Sequence, residues 1–189
     1  MANEQVPAPS YRRILVPLDG STNAEQVLPY AEYLSKGLQA PVELLRVVEH
    51  LPPEWMEWVV GVQPLQIAAS MSSRAHDYLD EAAVSLRNKG LTVSSIVQDG
   101  DPAITIETEA VRVPDTLVAM STHGRSGTTR WLMGSVTDRV LRTTAGPLLR
   151  VKGPQGESQE AAVKLRTVTV PPGRLRSGGT SPAPCGHAE

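Results

Sequence analysis

Between Met120 and Leu141 the chain reads MSTHGRSGTTRWLMGSVTDRVL, a strand end, a glycine-rich turn and a helix start in immediate succession. Those are the parts of an anion cradle. Gly124 and Gly127 lie in the turn, and Gly134 with Ser135 opens a helix. Glycine lets backbone N–H groups approach a phosphate closely, and the unsatisfied N–H groups at a helix N-terminus favour negative charge. Arg125 and Arg130 add two cations, and no acidic residue stands between Gly124 and Met133. The chemistry that fits is the binding of a phosphorylated ligand. An ordinary strand-to-helix loop with solvated arginines fits the same pattern, because short glycine spacings recur by chance.

A cradle of this kind needs a scaffold, and the rest of the chain supplies one. Five short apolar runs read as strands: Ile14 to Leu18, Val42 to Val48, Val93 to Val97, Thr116 to Met120 and Leu148 to Val151. Between most of them the apolar period lengthens to that of a helix. The first helical pattern starts near Asn23, with Thr22 and Glu25 spaced as a capping box; it aligns Val27, Leu28, Ala31 and Leu34, stops at Gly37, and should bend in its second turn at Pro29. A second runs from about Ser70 to Lys89, with Ala75, Leu79, Ala82, Ala83 and Leu86 as its buried stripe. The third, Ala103 to Val113, is stopped by Pro114, and the fourth runs from Ser135 to about Thr144 with Val136, Val140 and Leu141 inward. Nearly continuous aliphatic strands alternating with helices predict an α/β fold: a parallel sheet covered on both faces.

Composition narrows the class of protein. The chain has 189 residues, 40% of them hydrophobic and 20% charged, with a net charge of −2, which suits one domain with a full core. No apolar run approaches the roughly 20 residues that span a bilayer, and MANEQVPAPSYRR has no apolar signal core, so a cytoplasmic protein is expected. The near-neutral charge offers no field for nucleic acid or an acidic membrane surface. One cysteine, Cys185, excludes an internal disulfide and a multi-cysteine metal site. Two stretches fall outside the regular pattern. Leu51 to Ala69, with Pro52, Pro53, Trp55, Trp58, Gly61 and Pro64, reads either as a lid beside the ligand or as a long loop packed by its own indoles. Residues 153–189, rich in glycine and proline and without an aromatic residue, read as a disordered tail, with residues 1–10 as an N-terminal arm.

The ordered motifs RRILVPLDGS, VELLRVVE, GDPAITI, the glycine turn and GPLLRV together resemble the universal stress protein family over about Tyr11 to Lys152. That family's fingerprint is a glycine, two residues, a glycine, nine residues, then Gly-Ser or Gly-Thr. Gly124, Gly134 and Ser135 match its later elements, and Ser121 stands at the first glycine. The resemblance, with right-handed crossovers, implies a Rossmann-like three-layer sandwich of the adenine-nucleotide α-hydrolase type, with five parallel strands in the order 3-2-1-4-5 and ligands where that order reverses. Pro17, Leu18 and Asp19 then face the turn from Ser121 to Gly127 across one crevice.

The resemblance also implies ATP as the ligand. The binding residues it suggests are Pro17, Leu18, Asp19, Val47, Ser121, His123, Gly124, Arg125, Ser126, Gly127, Gly134, Ser135, Val136 and Thr137. Asp19 would meet the nucleotide or a phosphate-bound magnesium through water, although an Asp there also forms turns or caps helices. Val47 would lend backbone groups to the adenine, while its side chain is core. Gly100, Asp101 and Pro102 would line the adenine side, or simply cap the next helix. Ser121 would either crowd the ribose or hydrogen-bond it, and His123 reads as a hydrogen-bonding loop residue rather than a base. With no GxxxxGK[ST], GxSxG or HExxH motif, the sequence favours a regulatory or stress-response binding module over an enzyme. A nucleotide-free homodimeric interaction protein and a slow ATP hydrolase are the alternatives. The fifth strand, Pro147 to Lys152, is expected to pair with its two-fold mate.

Overall fold

The computed structural model describes residues 10–49, 64–121 and 134–151. The expected N-terminal arm, the tryptophan-bearing part of the 51–69 stretch, the glycine turn 122–133 and the tail lie outside them.

The aliphatic runs become five strands: β1 Arg13–Pro17, β2 Val42–Val48, β3 Val93–Asp99, β4 Thr116–Ser121 and β5 Leu148–Val151. They form one parallel sheet in the order β3-β2-β1-β4-β5, as the sequence led us to expect. Side-chain alternation divides the core between its faces. Ile14, Val16, Val42, Leu44, Leu117 and Ala119 point to one side, where Ala31, Leu79, Ala83 and Leu86 of two helices cover them. Leu15, Leu45, Val118 and Met120 point to the other, against Ala103, Ile106 and Val140. The covering helices are α1 Thr22–Glu25, α2 Leu28–Leu38 and α3 Pro64–Arg87 on the first face, and α4 Pro102–Arg112 and α5 Ser135–Thr143 on the second.

The helix ends differ from the sequence reading in ways that local chemistry explains. The single helix expected from Asn23 is two. Ser21 rather than Thr22 is the N-cap, its Oγ accepting from the Ala24 N–H at 3.1 Å. The chain then breaks at Gln26 and Val27, because Pro29 cannot donate back to the first turn and instead sits at the start of α2. α2 runs through Gly37 to Leu38 and is ended by Gln39 in the left-handed region, φ 54°. The expectation that 51–69 lacks helix fails at its end: α3 begins at Pro64, since a proline in a first helical turn sacrifices an N–H that has no intrahelical acceptor anyway. Asp101 accepts from the Ile104 N–H at 2.9 Å and so moves the start of α4 back to Pro102.

At the amino end of the sheet the strands are tied by charge. Arg13, 5% exposed, pairs with Glu43 of β2, donates Nη2 to the Glu109 carbonyl of α4 and donates Nε to Thr116 Oγ1 of β4 at 3.0 Å. Arg112 closes the network on Glu109 at 2.6 Å, and Gln98 of β3 donates to the same carboxylate. Burial pushes the Arg13 guanidinium below its usual pKa, the charge of Arg112 adding to this and Glu109 opposing it. Among the described residues no helix is long and apolar enough to cross a membrane.

Candidate functional site

The order of the sheet reverses at β1: the chain steps outward to β2 and β3, then returns to β4 and β5 on the other side. Connections leave in opposite directions from the carboxyl ends of β1 and β4, and open α/β sheets bind ligands at such a point. Here the two strands also part. Their pairing ends at Leu15 and Val118, although β1 continues to Pro17 and β4 to Ser121. Over the same length β1 stays paired with β2 as far as Pro17 and Leu45, and β4 with β5 as far as Ser121 and Val151.

Pro17 gives a physical reason for the parting. The Ile14 N–H donates to Pro41 and the Leu18 N–H to Leu45, both toward β2. Alternation then directs the backbone of residues 15 and 17 toward β4. A proline at 17 has no N–H to send there, so the ladder lacks its next donor.

On the β1 side of the opening, Leu18 is buried, and its carbonyl accepts from Arg46 Nη1 at 3.3 Å. Asp19 makes the turn that follows: its Oδ1 accepts from the Ser21 N–H at 2.9 Å and from the Ser21 hydroxyl at 2.6 Å, with Gly20 in the left-handed region at φ 80°. The turn-forming alternative for Asp19 is thus realised, and it fixes where the carboxylate stands beside the crevice. Tyr78 of α3 donates to Glu25 Oε1 at 3.0 Å and joins this corner to the long helix. Burial raises the Tyr78 hydroxyl well above its ordinary pKa, and the hydrogen bond to Glu25 and the charges of Glu25 and Asp19 act in the same direction.

Across the opening, Ser121 ends β4 and Gly134 caps α5, with no side-chain hydrogen bond at that cap. The Gly134 carbonyl accepts the Asp138 N–H at 2.9 Å, while the first-turn N–H groups of α5 have no acceptor within the helix. Thr137 donates to the Ser121 carbonyl at 3.0 Å; both residues are buried. Val136 packs against the core around Val140, and Val47 against the same core. Asp101 caps α4 and also receives Arg139 Nη1 at 3.1 Å, so the cap explanation of Gly100 to Pro102 holds in its local geometry.

The structure therefore brings Pro17, Leu18, Asp19, Ser121, Gly134, Ser135, Val136 and Thr137 to the ends of β1 and β4 and the start of α5. Val47 lies near the end of β2. His123, Gly124, Arg125, Ser126 and Gly127 lie outside the described residues. Sequence reasoning missed the ladder-breaking position of Pro17, the contact of Arg46 with the end of β1, and the commitment of the Thr137 hydroxyl. Pro17 was signalled by its place at the end of an aliphatic run. The other two are long-range contacts with no local signature. Among the described residues, no group of three or more His, Cys, Asp or Glu could hold a metal ion.

The fold is a doubly wound, Rossmann-like α/β domain whose β1–β4 ladder stops short at the switch point, with a glycine-capped helix following β4. The sequence pattern of the universal stress protein family matches residues 10–152, and the chain belongs to that family. Universal stress protein MJ0531 of Methanocaldococcus jannaschii is 27% identical over 151 residues, covering 78% of this chain and 85% of its own length. The solved structure of the hypothetical protein MJ0577 superposes with a TM-score of 0.68 at 24% identity, over 78% of this chain and 99% of that one. A universal stress protein solved in complex with cAMP shares the fold at a TM-score of 0.51 and 18% identity, over 76% and 98%.

Proposed function

We propose that this universal stress protein binds an adenine nucleotide, ATP by preference, at the carboxyl ends of β1 and β4, and that it acts as a cytoplasmic regulatory module rather than a catalyst. The parting of β1 from β4 beyond Leu15 and Val118 is the observation that carries the reading. Beyond those residues the two strands are no longer ladder partners, and the polypeptide that follows each of them carries groups that suit a phosphate. Gly134 adds no Cβ at the helix start, and the turn 122–133 contributes Gly124, Gly127, Arg125 and Arg130 from the sequence.

The residues fit the ligand as follows. The N–H groups of Ser135 and Val136, with the glycine turn, would hold phosphate oxygens. Asp19, positioned by Ser21, would face magnesium carried by the phosphates, through water. The ends of β1 and β2, with Leu18 and Val47, would take the base. A relative's structure with cAMP supports an adenine ligand in this fold. The non-catalytic reading rests on the sequence, which offers no nucleophile motif and no committed base. Association of two copies through β5 is a separate proposal, supported by the position of β5 at the end of the sheet.

The test is the nucleotide content of freshly purified protein. After denaturation, chromatography of the supernatant should show an adenine nucleotide, and its identity separates ATP from a cyclic nucleotide. ADP accumulating on incubation with ATP and magnesium would instead favour the slow hydrolase. Protein that carries no nucleotide as purified, and retains none after saturation with ATP and desalting, would overturn the reading.

A further inference from the structure

Thr137 was expected among the ligand contacts, yet its hydroxyl is occupied within the protein. The residue is the third of α5, is 4% exposed, and donates at 3.0 Å to the carbonyl of Ser121, the last residue of β4. A buried hydroxyl must find an acceptor, and a helical threonine commonly uses the carbonyl three or four residues back. Gly134 stands three residues back, and its carbonyl already accepts the Asp138 N–H. Thr137 turns to the strand instead. In doing so it joins the end of β4 directly to the first turn of α5, across the thirteen residues 122–134 that connect them in sequence.

A second tie holds the same helix from its far side. Arg139, two residues on, reaches Asp101 Oδ2 at 3.1 Å, while Asp101 Oδ1 caps α4. α5 is therefore fixed to β4 from within the core and to the start of α4 at the surface. The inner tie is the one that sets how far the first turn of α5 stands from the carboxyl end of β4.

We infer that the Thr137 side chain acts as a positioning group: its bond to the Ser121 carbonyl sets the start of α5 against the end of β4, and so sets affinity for the phosphate portion of a ligand while leaving its nucleoside portion unaffected. The inference rests on the nucleotide reading above. It differs from a general contribution to stability because it separates two parts of one ligand. Valine keeps the shape of threonine and removes the donor; serine keeps the donor and removes a methyl group.

Calorimetric titration of the full chain with ATP and with adenosine tests this in wild type, Thr137→Val and Thr137→Ser. Thr137→Val should weaken ATP tenfold or more with adenosine within twofold of wild type, and Thr137→Ser should return ATP to within about threefold. Equal loss for both ligands, or no loss, would overturn it. Wild-type protein that binds neither ligand defeats the nucleotide reading by itself, and amide exchange then decides the positioning role without ligand. The amides of Asp138 to Val140 should exchange at least tenfold faster in Thr137→Val, with those of β1 and β2 unchanged. Unchanged exchange in α5 would refute the tie.

Discussion

The two ends of the β1 and β4 pair are built to opposite purposes. At the amino end, Arg13 and Thr116 are register partners joined side chain to side chain, and the mostly buried Glu43 and Glu109 and the half-exposed Arg112 surround them with charge. Two residues further on the ladder stops, and the polar groups beyond it sit in turns and helix starts: the Asp19 turn, the Gly134 cap and the Thr137 tie. Unfavourable desolvation of charge is accepted where it locks strands together. Where the strands part, the charge is left on the border of an opening. Under the proposed function, stability and binding reside at opposite ends of the same two strands, so substitutions should separate them.

The largest effect should come from the locked end. Glu109→Gln would leave Arg13 and Arg112 facing each other with one carboxylate fewer, and breaking a buried pair from one side costs about 3 kcal/mol. Urea unfolding should show that loss in midpoint with the slope unchanged, while the folded protein binds ATP as wild type does. A stability within 0.5 kcal/mol of wild type, on the order of an exposed pair, would mean that the network is no lock.

An intermediate effect is expected at the open end. Pro17→Val supplies the missing N–H toward β4, so a newly protected amide should appear at position 17 and ATP affinity should fall by about threefold to tenfold, roughly the free energy of one net hydrogen bond. Stability should change little, because the gained bond is offset by greater freedom of the unfolded chain. An unprotected amide at 17 together with wild-type affinity would show that proline does not hold the strands apart.

The smallest effect is one of pH. The Tyr78 hydroxyl has its pKa raised in the folded protein, so folding favours its protonated form. That contribution is complete below the ordinary tyrosine value of about 10 and is lost as pH rises above it toward the folded value. Wild type should therefore lose stability above about pH 10 more steeply than Tyr78→Phe. Thermal melts at a series of alkaline pH values that run parallel for the two proteins would remove Tyr78 as a tie between α3 and the Asp19 corner.

Much of this was legible in the sequence for physical reasons that can be named. Strands β2 and β5 matched their apolar runs end to end because buried parallel strands admit few polar residues. The sheet order followed from motif order and resemblance, and the helix start at Ser135 from the Gly-Ser pair. Helix ends were read less well, since Ser21 and Thr22 are both competent caps and only the fold chooses between them. Arg13 shows the limit most plainly. A charged residue at the head of an aliphatic run looks like a strand boundary, and nothing near it in the chain announces a partner 96 residues away. The Thr137 bond to Ser121 is hidden in the same way.

The division of labour between the two ends is tested most directly by titrating ATP, side by side, into wild type, Glu109→Gln and Gly124→Val. Wild type and folded Glu109→Gln should bind alike, and Gly124→Val, which places a side chain in the expected phosphate turn, should bind more than tenfold more weakly, a loss above about 1.4 kcal/mol. Wild-type protein that takes up no ATP, or a Gly124→Val variant that binds as wild type does, would contradict it.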